Sequence, residues 1–245
     1  MRALAKLSLV ELKLFAREPM ALVFTFGFPL IVLVSLVGTF APDDPAFRGA
    51  RPSDYYLASY VSVVIAAVAL IALPVRLASY RERGVLRRFQ ASSVPALAVV
   101  GAQAVVGLVM AVLGGLLLVV AGMTIYGARL PSSLPLAAGA FVLSAVSLLA
   151  IGSLLGSLAR SASSAQAVGL IVFFPMWLVS GPGPPPAVMG PQMRGVADGL
   201  PLTYAVRALQ QPWLGSGSAV ADLVALCGIA LVAGALAAWA LLRSA

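Results

Sequence analysis

The sequence predicts an all-α integral membrane protein with six transmembrane helices, and three observations carry that prediction. Apolar residues make up 61% of the 245 residues and the mean hydropathy is +1.04, whereas soluble domains hold roughly 45–50% apolar residues. Charged residues are only 10% of the chain and gather in clusters between long uncharged runs. Most of those runs reach the ~20 residues a helix needs to cross a bilayer. A soluble fold cannot hide so much apolar surface.

The elements follow in order through a single transmembrane domain. Over residues 1–19, Arg2, Lys6, Lys13 and Arg17 recur at spacings of 4, 7 and 4, which aligns them on one stripe at about 100° per residue. Leu7, Val10 and Leu14 lie beside that stripe. The segment therefore reads as an interfacial helix, apolar side down and basic chains snorkelling. Pro19 ends it, because the residue before a proline is disfavoured in the helical region. This lead is long and contains Glu11 and Glu18, unlike a secretory signal, so the apolar run behind it reads as a true span.

Spans are expected near 20–41, 54–79, 96–127, 135–159, 164–181 and 219–242. Pro29 and Pro74 fall inside the first two as buried kinks. Gly114 and Gly115 mark a candidate bend in the overlong third. In the fourth, Gly152 with Gly156 and Ser153 with Ser157 form offset four-residue repeats suited to close helix contact. Residues 182–218, entered through "GPGPPP" at 181–186, continue with Met189, Met193, Leu200, Leu202, Tyr204, Leu209 and Trp213. That mixture suits short re-entrant helices at the outer side, whose broken backbone protein must bury.

Orientation follows from the basic residues. With the N-terminus inside, the inner segments hold eleven Lys and Arg and the outer segments five, while Asp43, Asp44, Asp54, Asp198 and Asp222 all fall outside. The positive-inside rule then places both termini in the cytoplasm, and only an even number of spans keeps this partition. The net charge of +8 is accounted for by arginines flanking spans near anionic headgroups; no basic, aromatic-bearing polar domain exists to bind nucleic acid. Fourteen arginines against two lysines suggest a GC-rich bacterial genome and hence a bacterial plasma (inner) membrane. The single Cys227 excludes an intrachain disulfide.

The inventory leaves little chemistry. There is no histidine, which removes zinc-protease and Ser-His-Asp machinery, and no catalytic or metal site is expected. No carboxylate lies mid-span, which counts against a proton relay. The phosphate loop G-x-x-x-x-G-K-[ST] is absent, the only lysines being Lys6 and Lys13. No cofactor is expected on this chain. What stands out is the island "YRERGVLRRFQASSVP", residues 80–95, with four arginines and a glutamate between long apolar runs. By the residues alone it is either a topological flank or a contact surface. The classes left open are an ATP-driven permease, an ATP-independent secondary carrier and a non-transporting scaffold.

Three stretches resemble one family. "ELKLFAREPMALVFTFGFPLIVLVSLVG", residues 11–38, is similar to the opening of type-2 ATP-binding-cassette (ABC) permeases, with a basic amphipathic helix, an R-[ED]-P break and an F-P-L span. "RERGVLRRFQASSVP", residues 81–95, resembles their inner loop, with Val85 where threonine is frequent. "MWLVSGPGPP…LPLTYAVRALQ", within 176–210, resembles the end of their fifth span and the re-entrant segment after it, with an unusually proline-dense insert.

The resemblance implies an exporter of drug-like, antibiotic, polysaccharide or lipid-linked cargo. It implies two copies of a cytosolic ABC ATPase that bind ATP and Mg, and a second permease subunit, identical or related. It makes residues 80–95 a coupling helix that seats on the ATPase, with Arg81, Glu82, Arg83, Gly84, Val85, Leu86, Arg87, Arg88 and Phe89 at the contact. It places a substrate path along the second and fifth spans, where Phe173, Phe174, Met176 and Trp177 are candidates, though packing alone also accounts for them. Pro201, Leu202, Thr203 and Tyr204 are implied as an outer re-entrant gate.

Overall fold

The computed structural model describes residues 23–41, 44–47, 49–84, 96–215 and 218–244, and among these the regular structure is entirely helical. A π-turn, Val23–Gly27, leads into α1, Phe28–Thr39. Helix α2, Pro52–Ala67, continues through a second π-turn, Val68–Ala72, into α3, Leu73–Glu82. Then come α4, Ala96–Tyr126; α5, Leu134–Leu158; α6, Ala162–Val179; α7, Pro191–Asp198; α8, Pro201–Leu214; and α9, Val220–Ser244. The interfacial helix expected over 1–19 lies outside the described residues.

Five of these stretches are long and apolar enough to cross a membrane: Pro52–Glu82, Val99–Tyr126, Leu134–Leu158, Ala162–Val179 and Val220–Leu241. The first expected span, 20–41, is described from Val23 onward, and its α1 has 12 residues. Proline at the first or second position starts α1, α2, α3, α5, α7 and α8. In α2, α5, α7 and α8, which follow extended residues, its missing N–H would have no partner within the helix, and its fixed φ suits the first turn.

The second span is the axis of the bundle. Every residue from Pro52 to Ala67 is buried, so α2 is enclosed by protein on all sides, while α4, α6 and α9 keep broad exposed apolar faces such as Leu116, Ile171 and Leu231. Its interruption has a chemical origin. In the π-turn the Leu73 N–H donates to the Val68 carbonyl, five residues back, so Ala69 loses its usual α-helical donor. Leu70 loses its own because the residue four ahead is Pro74, which has no N–H.

Both released carbonyls point at glycines of neighbouring spans. A Cβ on Gly152 of α5 would lie 1.8 Å from the Ala69 oxygen, and one on Gly169 of α6 would lie 2.3 Å from the Leu70 oxygen. Gly156, one turn beyond Gly152, meets the Pro74 Cα and Leu77 Cβ at 3.0 and 2.9 Å by the same measure. The small-residue repeat of the fourth span thus lets α5 reach the backbone of the second. Approach this close brings Cα–H groups against these carbonyls.

Through the bend candidate Gly114-Gly115, α4 stays helical without a break from Ala96 to Tyr126. Those glycines serve close packing. A Cβ on Gly114 would lie 2.6 Å from Val64 Cγ1 and 3.0 Å from the Phe26 ring, and one on Gly115 would lie 3.4 Å from Phe141.

Replacing Gly152 by leucine should force α5 off the π-turn and cost at least ~1–3 kcal/mol, the usual range for overpacking. The control Gly139→Ala, on the same helix with nothing within 4 Å of the added carbon, should stay within about 0.5 kcal/mol of the parent. Thermal unfolding in detergent, read by loss of monodisperse protein, separates the two; equal melting temperatures would refute the packing role.

Candidate functional site

The charged island begins inside a helix. Tyr80, Arg81 and Glu82 form the last turn of α3, Arg83 is its C-cap, and Gly84 follows with φ +67°. That left-handed conformation suits glycine at the residue after a helix end. The Gly84 N–H donates to the Arg81 carbonyl at 3.1 Å and the Arg83 N–H to Ser79 at 3.0 Å, closing the turn. Val85, Leu86, Arg87, Arg88 and Phe89 lie outside the described residues.

Arg81 and Glu82 are committed to two different helix ends. The Arg81 guanidinium donates to the carbonyls of Ser157 at 2.5 Å and Ala159 at 3.4 Å, at the C-terminus of α5. The Glu82 carboxylate accepts from the Ala162 N–H at 3.1 Å, the first residue of α6. A helix ends with unsatisfied carbonyls and partial negative charge, and begins with unsatisfied N–H groups and partial positive charge. One basic and one acidic side chain in sequence therefore match the two ends of the short α5–α6 turn. Ser161 caps α6 as well, exchanging hydrogen bonds with Ser164 in a capping box. The adjacent Tyr80 hydroxyl accepts from Gln103 Nε2 of α4 at 3.2 Å.

The opposite end of the bundle is tied by tyrosines. Tyr55 and Tyr56, near the start of α2, donate to the carbonyls of Gly181 at 3.0 Å and Gly183 at 3.3 Å. They therefore hold the proline-dense segment that follows α6. Gly181 has φ +105°, and a Cβ there would sit 3.3 Å from the Tyr55 hydroxyl, so both space and conformation select glycine. Phe47, Phe40 and Tyr60 extend the aromatic set, with ring centroids 5.1 to 6.3 Å apart. Asp54 pairs with Arg51 at 3.2 Å and accepts the Arg129 N–H at 2.8 Å, fixing the α4–α5 connection.

The implied path residues divide by environment. On α6, Phe173 and Met176 are buried in the core, whereas Phe174 is 41% exposed. Trp177, half-buried, packs with Phe174 and with Phe28 of α1, and its Nε1 donates to the Tyr60 hydroxyl at 3.2 Å. Phe28, Phe174 and Trp177 thus make one aromatic contact between the first and fifth expected spans.

Pro201, Leu202, Thr203 and Tyr204 form the first turn of α8. Leu202 and Thr203 are buried. The hydroxyls of Thr203 and Tyr204 donate to the carbonyls of Ala197 at 2.6 Å and Asp198 at 2.5 Å, at the end of α7, and Arg207 ion-pairs with Asp198. Helix α8 reaches inward: Gln210 Nε2 donates to Ser59 Oγ at 2.7 Å, and Ser59 lies seven residues after Pro52, about 10 Å down the helix.

Sequence reading missed the tyrosine clasp and the Arg51–Asp54 pair. Their signals were present in the spacing of Tyr55, Tyr56 and Tyr60 and in the i, i+3 Arg-x-x-Asp, but the partners are backbone carbonyls 126 and 127 residues away. Among the described residues no three His, Cys, Asp or Glu side chains come together as a metal site.

A bundle of membrane-length apolar helices, each end secured by charge and hydrogen bonds, defines a multi-pass membrane protein. The model of the ABC-2 type transporter family matches residues 3–213, so the chain belongs to that family and is an ABC transporter permease. No curated protein matches it.

The double variant Arg81→Gln, Glu82→Gln should loosen the α5–α6 turn by about 1 kcal/mol from lost helix-end interactions, or about five-fold in local opening. Hydrogen–deuterium exchange should accelerate over 159–164 and stay unchanged over 140–150; unchanged exchange at the turn would show that the two side chains do not hold it.

Proposed function

We propose that this permease is the membrane subunit of an ATP-driven exporter. It works as a pair with a second permease, identical or related, and with two copies of a separate ABC ATPase that carry the ATP and Mg. The six-span arrangement has both termini in the cytoplasm of a bacterial cell and α7 and α8 as re-entrant helices on the outer side. Family membership over residues 3–213 supports the ATPase partner, as does a chain that has no phosphate loop of its own. A permease without a nucleotide site must receive work through a surface.

The observation that carries the coupling role is the double attachment of Arg81 and Glu82. The island is joined to α3 by the chain and to both α5 and α6 by charge-assisted bonds. A displacement imposed on 83–95 therefore acts on three spans at once. Arg83, Arg87 and Arg88 are the arginines offered to ATPase carboxylates, as forks that fix register, with Val85, Leu86 and Phe89 as apolar anchors. Only contacts that differ between two ATPase states can bias the bundle.

The cargo path runs between the paired permeases beside the aromatic contact of Phe28, Phe174 and Trp177, an amphipathic surface suited to drug-like or lipid-linked molecules. Pro201 to Tyr204, secured to α7 and packed against the second span, form the outer gate.

Purification of the chain from its native membrane should bring down an ATPase with a phosphate loop, and vesicle transport should stop when that partner's catalytic carboxylate is removed. Transport that persists without any ATPase would overturn the reading. Arg83→Glu with Arg87→Glu should abolish ATPase stimulation by at least tenfold while membrane insertion stays normal; intact coupling would make the island topological only.

A further inference from the structure

A cavity of about 300 Å³ lies between α2, α4, α5 and α8, on the side of the bundle where α2 begins. Its floor includes Val61 and Leu209, 3% and 1% exposed, and its rim includes Leu116, Leu130 and Leu134, 56%, 52% and 63% exposed. The lining side chains are apolar. The one side-chain polar atom among them, Trp213 Nε1, already donates to the Arg129 carbonyl at 2.8 Å. A water would need two to four polar partners here, and these walls offer none. The volume falls at the low end of small-ligand sites.

Arg129 stands beside this groove with its backbone fixed twice, its N–H on Asp54 and its carbonyl on Trp213. Its side chain is exposed, and among the described residues no hydrogen bond or ion pair holds the guanidinium. The nearby Asp54 charge is offset by Arg51 at 3.2 Å. An apolar slot, a tryptophan at its mouth and an uncommitted arginine just past a span end match a lipid's chain, interface and phosphate in order.

We propose that this groove binds one anionic phospholipid, an acyl chain in the cavity and the phosphate on Arg129. The site stands apart from the aromatic contact of Phe28, Phe174 and Trp177. It rests on the membrane placement of the helices and not on the exporter reading, so a failed transport assay leaves it standing.

The test uses the full chain with Trp177→Phe and Trp239→Phe, leaving Trp213 as the only tryptophan, selectively excited at the red edge, reconstituted in phosphatidylcholine vesicles. Brominated-chain phosphatidylglycerol should quench Trp213 at a mole fraction about five-fold lower than brominated-chain phosphatidylcholine, as about 1 kcal/mol for one arginine near an anionic lipid requires. Arg129→Gln should bring the two curves together, and Gly115→Leu, which fills the cavity, should weaken quenching by both. Equal curves in the parent would mean only bulk boundary lipid and would overturn the site. Failure of either lipid to quench would overturn it too, by showing protein over the groove, a second copy of this chain included. A preference that survives Arg129→Gln would remove the phosphate from Arg129.

Discussion

Two carbonyl groups in the middle of the second span set the terms for the rest of the bundle. In hydrocarbon a backbone oxygen without a donor costs several kcal/mol, with no water present to relieve it. The π-turn at Val68–Ala72 and Pro74 together strip Ala69 and Leu70 of their α-helical donors. The span can carry this defect only if protein covers it, and Val68, Ala69, Leu70, Leu73 and Pro74 are all buried. The two oxygens lie where Gly152 and Gly169 would otherwise carry their Cβ atoms. Helices α5 and α6 are therefore seated on the defect itself, and their spacing from the second span is fixed by backbone contact rather than by side-chain volume.

That mid-membrane seat explains why the ends are held as they are. The α5–α6 turn lies directly beyond the two glycines, and Arg81 and Glu82 reach it from the end of α3. The same three elements are thus joined twice, once by backbone contact within the span and once by charges matched to helix termini. Toward the other end, Tyr55 and Tyr56 close a third connection from α2 to the segment after α6. The seat and the two clasps all oppose sliding of the second span along α6, and the π-turn is where its α-helical ladder is already interrupted.

The architecture was legible because hydrophobic run length is a strong signal: a helix that must cross a bilayer cannot hide its length. The break positions were legible too, as Pro29 and Pro74 each follow a π-turn by two residues. Gly114-Gly115 is a case where the pattern leaves two readings open. Glycine in a helix reports either a bend or a close neighbour, and only the neighbour, here Val64 and Phe26, decides which. The same ambiguity was resolved correctly at Gly152 and Gly156 because the four-residue spacing specifies a face. What no pattern could supply were bonds to backbone carbonyls far along the chain, for a carbonyl has no residue identity. Arg81 and Glu82 were recognisable as special by their setting, but not that they would face inward.

This divides the charged island in a way composition could not. Arginines beside a span end are expected on topological grounds alone, and each such charge near anionic lipid is worth about 1 kcal/mol wherever it points. Arg81 goes further, spending its donors on two carbonyls of α5, so its position is dictated by geometry as well as by side of the membrane. Glu82 has no topological reason to be there, since acids contribute little to orientation, and its one described bond is to the first N–H of α6. An acid placed against the charge bias, on a helix N-terminus, is the clearest sign that the start of the island, Arg81 and Glu82, is built into the bundle. These two side chains tie the end of α3 to the ends of α5 and α6, the property the proposed coupling role needs.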